Sequence, residues 1–133
     1  MTRVLLIGLG GALGTLCRYG VSVWAGRTLG AAFPYGTFIV NVAGCFLIAL
    51  VSEIALSTTL VSPTLRLTLT TGFMGGLTTY SSFNYETTTF LLRDRGLVVG
   101  LTNIGLTLIA CFAAGLLGLL AARRLIAPLF AQT

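Results

Sequence analysis

The sequence predicts an all-α membrane protein with four transmembrane helices per chain, the third broken near its middle. Three observations predict it. Of the 133 residues, 56% are apolar and only 8% charged, where an ordinary soluble domain carries about a quarter charged residues, and the mean hydropathy is +0.99. The charged residues are spaced so that four long runs are nearly free of them, each close to the ~20 residues a helix needs to cross the hydrocarbon core. Between the runs fall Pro34, Pro63 and Gly96, residues suited to turns at the water boundary. The same composition argues against most soluble enzymes and nucleic-acid binders. There is no histidine, the commonest general base and a favoured metal ligand. The three acids, Glu53, Glu86 and Asp94, lie too far apart in sequence to suggest paired-carboxylate catalysis. The chain is expected to be one membrane domain, 1–133, with no extramembrane domain and no enzymatic activity.

The first span, 4–26, carries Gly10, Gly11, Gly14 and Thr15 on a small-xxx-small face that permits close backbone contact. Arg18 lies one turn beyond Gly14 on the same side, so it should point into protein rather than lipid. Glu86 in the third span is its expected partner, either for mutual neutralisation or in a site that guides anions. Two look-alikes fail here. Arg18 interrupts what could pass for a signal peptide, and no small-x-small cleavage site follows. The run Gly8-Leu9-Gly10-Gly11-Ala12-Leu13-Gly14 lacks the third glycine and the later acid of a dinucleotide fingerprint.

In the second span, 36–56, Thr37 and Asn41 are four apart and share one helical face. Between them they offer a hydroxyl and an amide, for interhelical bonding or for an ion. Glu53, near the end of this span, is expected to snorkel to water. The third span, 66–91, contains Thr70-Thr71-Gly72-Phe73-Met74-Gly75-Gly76-Leu77-Thr78-Thr79-Tyr80-Ser81-Ser82-Phe83, a poor lipid-facing helix. The glycine pair favours a break, and non-helical backbone at membrane depth survives only inside protein or beside a cavity. Carbonyls freed there can coordinate a dehydrated cation. Packing through Gly72 and Gly76, a GxxxG pair, is the other reading. Tyr80 and Phe83 sit three apart on one face with Glu86 a further turn along, and their ring edges carry partial positive charge that suits an anion. The fourth span, 97–122, is apolar apart from one amide, Asn103, and the hydroxyls of Thr102 and Thr107. Cys17, Cys45 and Cys111 fall in three different runs and read as small packing residues.

All eight basic residues are arginine, and the net charge is +5. Four spans put both termini on one side, with Arg3, Arg66, Arg123 and Arg124 there. Arg27, Arg93, Arg95 and, if it reaches the interface, Arg18 fall on the other. With so little asymmetry the positive-inside rule has almost nothing to act on. Insertion in both orientations, and with it an antiparallel homodimer, is one consequence; chance balance in a protein of fixed orientation is the other.

Gly36-Thr37-Phe38-Ile39-Val40-Asn41 together with Thr71 to Phe83 and the glycine-rich opening ending in Cys17-Arg18-Tyr19 resembles the Fluc/CrcB fluoride ion channels, and the match covers essentially the whole chain. The resemblance implies a passive fluoride-selective channel of the bacterial inner membrane, built as an antiparallel, dual-topology homodimer with two pores and a structural sodium ion at its centre. It implies that the backbone carbonyls of Gly75 and Thr78 hold the sodium. Asn41, Tyr80, Phe83, Ser81 and Ser82 would line the fluoride pore, and Thr37, Arg18 and Glu86 would form an associated polar network. Thr102, Asn103 and Thr107 are candidates for a polar track on the fourth span. The chain departs from the usual motif at Tyr80, where the family has phenylalanine, and at Ser82, where it has threonine. The implied partners are a second copy, fluoride and membrane lipid, with no nucleic acid. The alternative is a small dual-topology drug/proton antiporter. That activity needs an acid buried in the bundle, and the first span, where such transporters carry it, has none.

Overall fold

A computed structural model describes residues 1–94 and 96–130. Among these residues every regular element is helical: α1 (Thr2–Thr28), α2 (Tyr35–Ser57), α3 (Pro63–Leu67), a π-helical stretch (Thr68–Met74), α4 (Gly75–Leu77), α5 (Tyr80–Leu91) and α6 (Leu97–Phe130). Three helices are long and apolar enough to cross a membrane, α1, α2 and α6. The fourth crossing is assembled from α3, the π stretch, α4 and α5, interrupted between Leu77 and Tyr80. Side chains such as Leu5, Leu9, Leu13, Ile109, Phe112 and Leu116 stand exposed, as a lipid-facing surface requires and a water-facing one would not tolerate. The chain is a multi-pass membrane protein.

Local chemistry sets the ends of the elements. Helix α1 gives way at Leu29 to Gly30, whose φ of 80° is a left-handed conformation that glycine adopts without a Cβ clash. Pro63 starts α3 at a position that needs no N–H, and the Ser62 hydroxyl accepts from the Leu65 N–H at 3.2 Å. The last helix runs past the expected end at 122 to Phe130, about 50 Å at 1.5 Å per residue. The charged pair Arg123-Arg124 therefore does not stop it. Arg123 donates instead to Glu53 at the end of α2, at 2.9 Å, so Glu53 is paired with an arginine rather than merely extended into water. The expected contribution of Arg95 to charge balance lies outside the described residues.

Two of the packing seams rest on close glycine contacts that bear on the site. Helices α2 and α6 lie along each other, with Gly118 brought against the Phe46 carbonyl. Helix α1 docks on the π stretch and α4 through glycines: Gly10 meets the Thr68 carbonyl, Gly14 the backbone of Phe73 and Gly76 the backbone of Gly11. No side chain larger than hydrogen fits at Gly14 or Gly76 without moving backbone, which is why this face of the first span is built from small residues. Gly72 likewise abuts Ile7. The GxxxG pair is thus used for packing within the chain.

Candidate functional site

The site grows from the interruption of the third crossing. The break does not occur at the glycine pair. Gly75 and Gly76 stay helical, and the backbone becomes extended at Thr78 (φ −81°, ψ 157°) and Thr79 (φ −154°, ψ 116°). Two side chains stabilise it there. The buried Asn41 clasps Thr79 from both sides: its Oδ1 accepts from the Thr79 N–H at 2.8 Å and its Nδ2 donates to the Thr79 carbonyl at 3.1 Å. The Thr79 hydroxyl then caps α5 by accepting from the Ser82 N–H at 3.2 Å. Unpaired backbone at this depth would be costly; the amide and the hydroxyl satisfy it.

These bonds redirect two donors. In a continuous helix the Thr79 N–H would bond the Gly75 carbonyl, and the Ser82 N–H the Thr78 carbonyl. Both donors are committed to Asn41 and to the Thr79 hydroxyl instead. Gly75 is exposed and Thr78 half-buried, so the carbonyls that lose their helical donors lie beside the break and near the surface of the chain.

The sequence-predicted residues fall into two cavities that share Thr79. One, of about 400 Å³, is lined by Asn41, Gly75, Thr78, Tyr80, Phe83 and Thr107 among others. The other, of about 350 Å³, is lined by Arg18, Thr37, Ser82 and Glu86. The Tyr80 and Phe83 rings are 5.9 Å apart between centroids and tilted by 47°. Tyr80 is 77% exposed, so the rest of the chain does not enclose that ring. Ser81 is exposed and shares a hydrogen bond with the Thr79 hydroxyl at 3.2 Å.

The expected Arg18–Glu86 ion pair does not form. The Thr37 hydroxyl donates to Glu86 Oε1 at 2.9 Å, Oε2 is buried without a partner among the described residues, and Arg18 shares only the cavity with it. A hydroxyl one turn from Asn41 on α2 reaches the carboxylate first.

Thr79 was given no role of its own from the sequence, and the fourth-span candidates Asn103 and Thr107 were given no partners. Thr79 is the pivot of both cavities; its signal was a threonine three residues ahead of Ser82, the spacing of a helix N-cap. On α6, Asn103 is only 1% exposed. Its Nδ2 donates to the Thr87 hydroxyl at 2.7 Å, while Thr107 donates to its Oδ1 at 3.2 Å. Thr87 donates in turn to the Phe83 carbonyl at 2.6 Å. This chain of bonds ties α6 to the turn that carries Phe83. Thr102, also a candidate, is exposed.

Residues 5–119 match the family described as CrcB-like protein, Camphor Resistance (CrcB). The chain is 58% identical over 127 residues to a protein of Sorangium cellulosum named fluoride-specific ion channel FluC, covering 96% of this chain and 99% of that one. It is 51% identical to the protein of the same name from Geotalea daltonii, over 92% and 98% of the two chains. For that from Geotalea uraniireducens the identity is 47%, over 94% and 100%.

Proposed function

The chain belongs to the CrcB family, and from that premise we propose that it is a fluoride-specific channel acting as an antiparallel homodimer in the bacterial inner membrane. The observation that carries the reading is the break at Thr78-Thr79, held open by the two-way bond to Asn41. Fluoride is small and strongly hydrated, so a passage must replace its water with donors along the route without binding it too tightly to release. Amide, hydroxyls and ring edges of Asn41, Ser81, Ser82, Tyr80 and Phe83 supply such donors without a string of bare charges.

A single chain leaves Tyr80 and Gly75 exposed. A twofold antiparallel partner would bring two copies of the broken crossing to one axis and enclose both. The near-balanced arginines of the two sides accord with insertion both ways up. Two copies of the site would then give two pores. Sodium fits the donor set at that axis. The Gly75 and Thr78 carbonyls from each copy are hard oxygen ligands deprived of their helical N–H partners. Bound there, the ion would supply a fixed positive charge that favours nearby anions. Thr37, Arg18 and Glu86 form the polar lining of the neighbouring cavity.

The testing experiment is efflux from proteoliposomes read with a fluoride electrode, with valinomycin to clear the potassium charge and chloride as the control. Rapid fluoride loss that needs the ionophore, with chloride retained, is expected. Tyr80→Phe, which restores the family's residue, is expected to conduct at least as fast. A well-folded protein that releases no fluoride in either form would overturn the reading.

A further inference from the structure

Cys45 on α2 and Cys111 on α6 are not the separate packing residues their positions in different runs suggested. They lie on opposite sides of the α2–α6 seam and line the same two cavities along it. Both are free, half-buried thiols. Both line the cavity that holds Asn41, Tyr80 and Phe83, and both line an adjoining apolar cavity of about 510 Å³ with Ile48, Leu108, Phe112 and Leu116. The helices that carry them are held in register nearby, Gly118 against the Phe46 carbonyl and Gly115 facing the Cys45 carbonyl. The third cysteine, Cys17, is exposed on α1 and lines neither cavity.

Two neighbouring sulfurs at an apolar wall form a chelating site for a soft electrophile. Once the first sulfur has bonded, the second reacts within the same molecule at high effective concentration. Hard cations would find no carboxylate or imidazole among the residues lining the apolar cavity. We propose that Cys45 and Cys111 form a dithiol site that captures a trivalent organoarsenical, with its organic group seated against Ile48, Leu108, Phe112 and Leu116. In the step, two S–H bonds and the arsenic–oxygen bond break and two As–S bonds form. The oxygen leaves with both thiol protons as water, and nothing is oxidised or reduced. Because the same thiols border the cavity of Asn41, Tyr80 and Phe83, the captured group stands at the edge of the proposed conduction path.

The test treats the full chain in proteoliposomes with phenylarsine oxide and reads the intact mass. Wild type and Cys17→Ala are expected to gain one phenylarsenic group per chain. That group should survive excess 2-mercaptoethanol and be removed by 2,3-dimercaptopropanol. Cys45→Ala, Cys111→Ala and the closer-sized Cys45→Ser should all lose the monothiol-resistant adduct. An adduct that persists in those variants, or a wild type that takes none, would overturn the assignment. This readout is independent of conduction. A second readout rests on the fluoride reading: the adduct should abolish most fluoride efflux from wild type, with recovery on dimercaptopropanol. Cys111→Ala should keep its own untreated rate in the presence of the reagent. Full adduct formation with undiminished efflux would remove the dithiol from the conduction path.

Discussion

Asn41→Asp separates the two tasks that the structure gives to one side chain. The carboxylate keeps an oxygen to accept from the Thr79 N–H, now at 2.8 Å, but has no donor for the Thr79 carbonyl, now served at 3.1 Å. The Thr79 carbonyl is then left buried without a donor, at a cost of about 1–3 kcal/mol. The added charge acts on the anion. For fluoride passing within about 4 Å, at an effective dielectric constant of about 20, the repulsion is about 4 kcal/mol. At about 1.4 kcal/mol per factor of ten, flux should fall about a thousandfold. Asn41→Leu acts differently, because it leaves both Thr79 backbone groups buried without partners. At about 1–3 kcal/mol each, that is a loss of about 2–6 kcal/mol in stability. The assay is fluoride efflux from proteoliposomes at alkaline pH, where the introduced carboxyl is ionised, paired with thermal unfolding in detergent. An Asn41→Asp variant that stays folded and elutes like wild type yet conducts at the wild-type rate would remove Asn41 from the ion path. An Asn41→Leu variant that melts like wild type would refute the clasp.

Gly76→Ala directs a methyl group into the backbone of Gly11, so α1 and α4 must separate. The cost is about 1–3 kcal/mol, read as a lower unfolding temperature, whereas Gly8→Ala, with open space around it, should show no such loss. Arg123→Ala removes the ion pair to Glu53, but with Arg123 65% exposed the change should be at most about 1 kcal/mol and fluoride efflux should be unaltered. Asn103→Leu breaks the chain from Thr107 through Thr87 to the Phe83 carbonyl and should lower stability by about 1–3 kcal/mol, again measured by thermal unfolding. A membrane-impermeant label on a cysteine placed near the C-terminus, in a variant lacking the native cysteines, should modify about half of the chains from each side if both orientations insert equally; modification from one side alone would refute the dual orientation.

How much of this was legible in the sequence depends on whether a signal is local. The gaps between arginines located α1, α2 and α6, because lipid imposes a length on any uncharged run; Arg18 intrudes on the first, and Arg123 and Arg124 did not mark the end of the last. Glycines at 10, 11 and 14 announced a close helix contact, and α1 makes one. They did not say which partner, since a small face fits any neighbour. The interruption of the third crossing was legible, but its position was not. Glycine at 75 and 76 lowers the cost of a break without requiring one. What moves the break to Thr78-Thr79 is a donor–acceptor pair from Asn41, 38 residues away in sequence, and no local pattern encodes that distance. The same holds for Glu86, where charge alone nominated Arg18 and geometry assigned Thr37. It holds too for Cys45 and Cys111, unrelated by spacing and joined only by the α2–α6 seam. Local composition therefore specified which residues could leave the helical pattern, and long-range side-chain bonds chose which of them do. In this chain the choice has a chemical consequence: by taking the Thr79 and Ser82 amides, the side chains of Asn41 and Thr79 turn a weak point in a helix into carbonyls without helical donors, the groups that the proposed second copy and sodium ion would use.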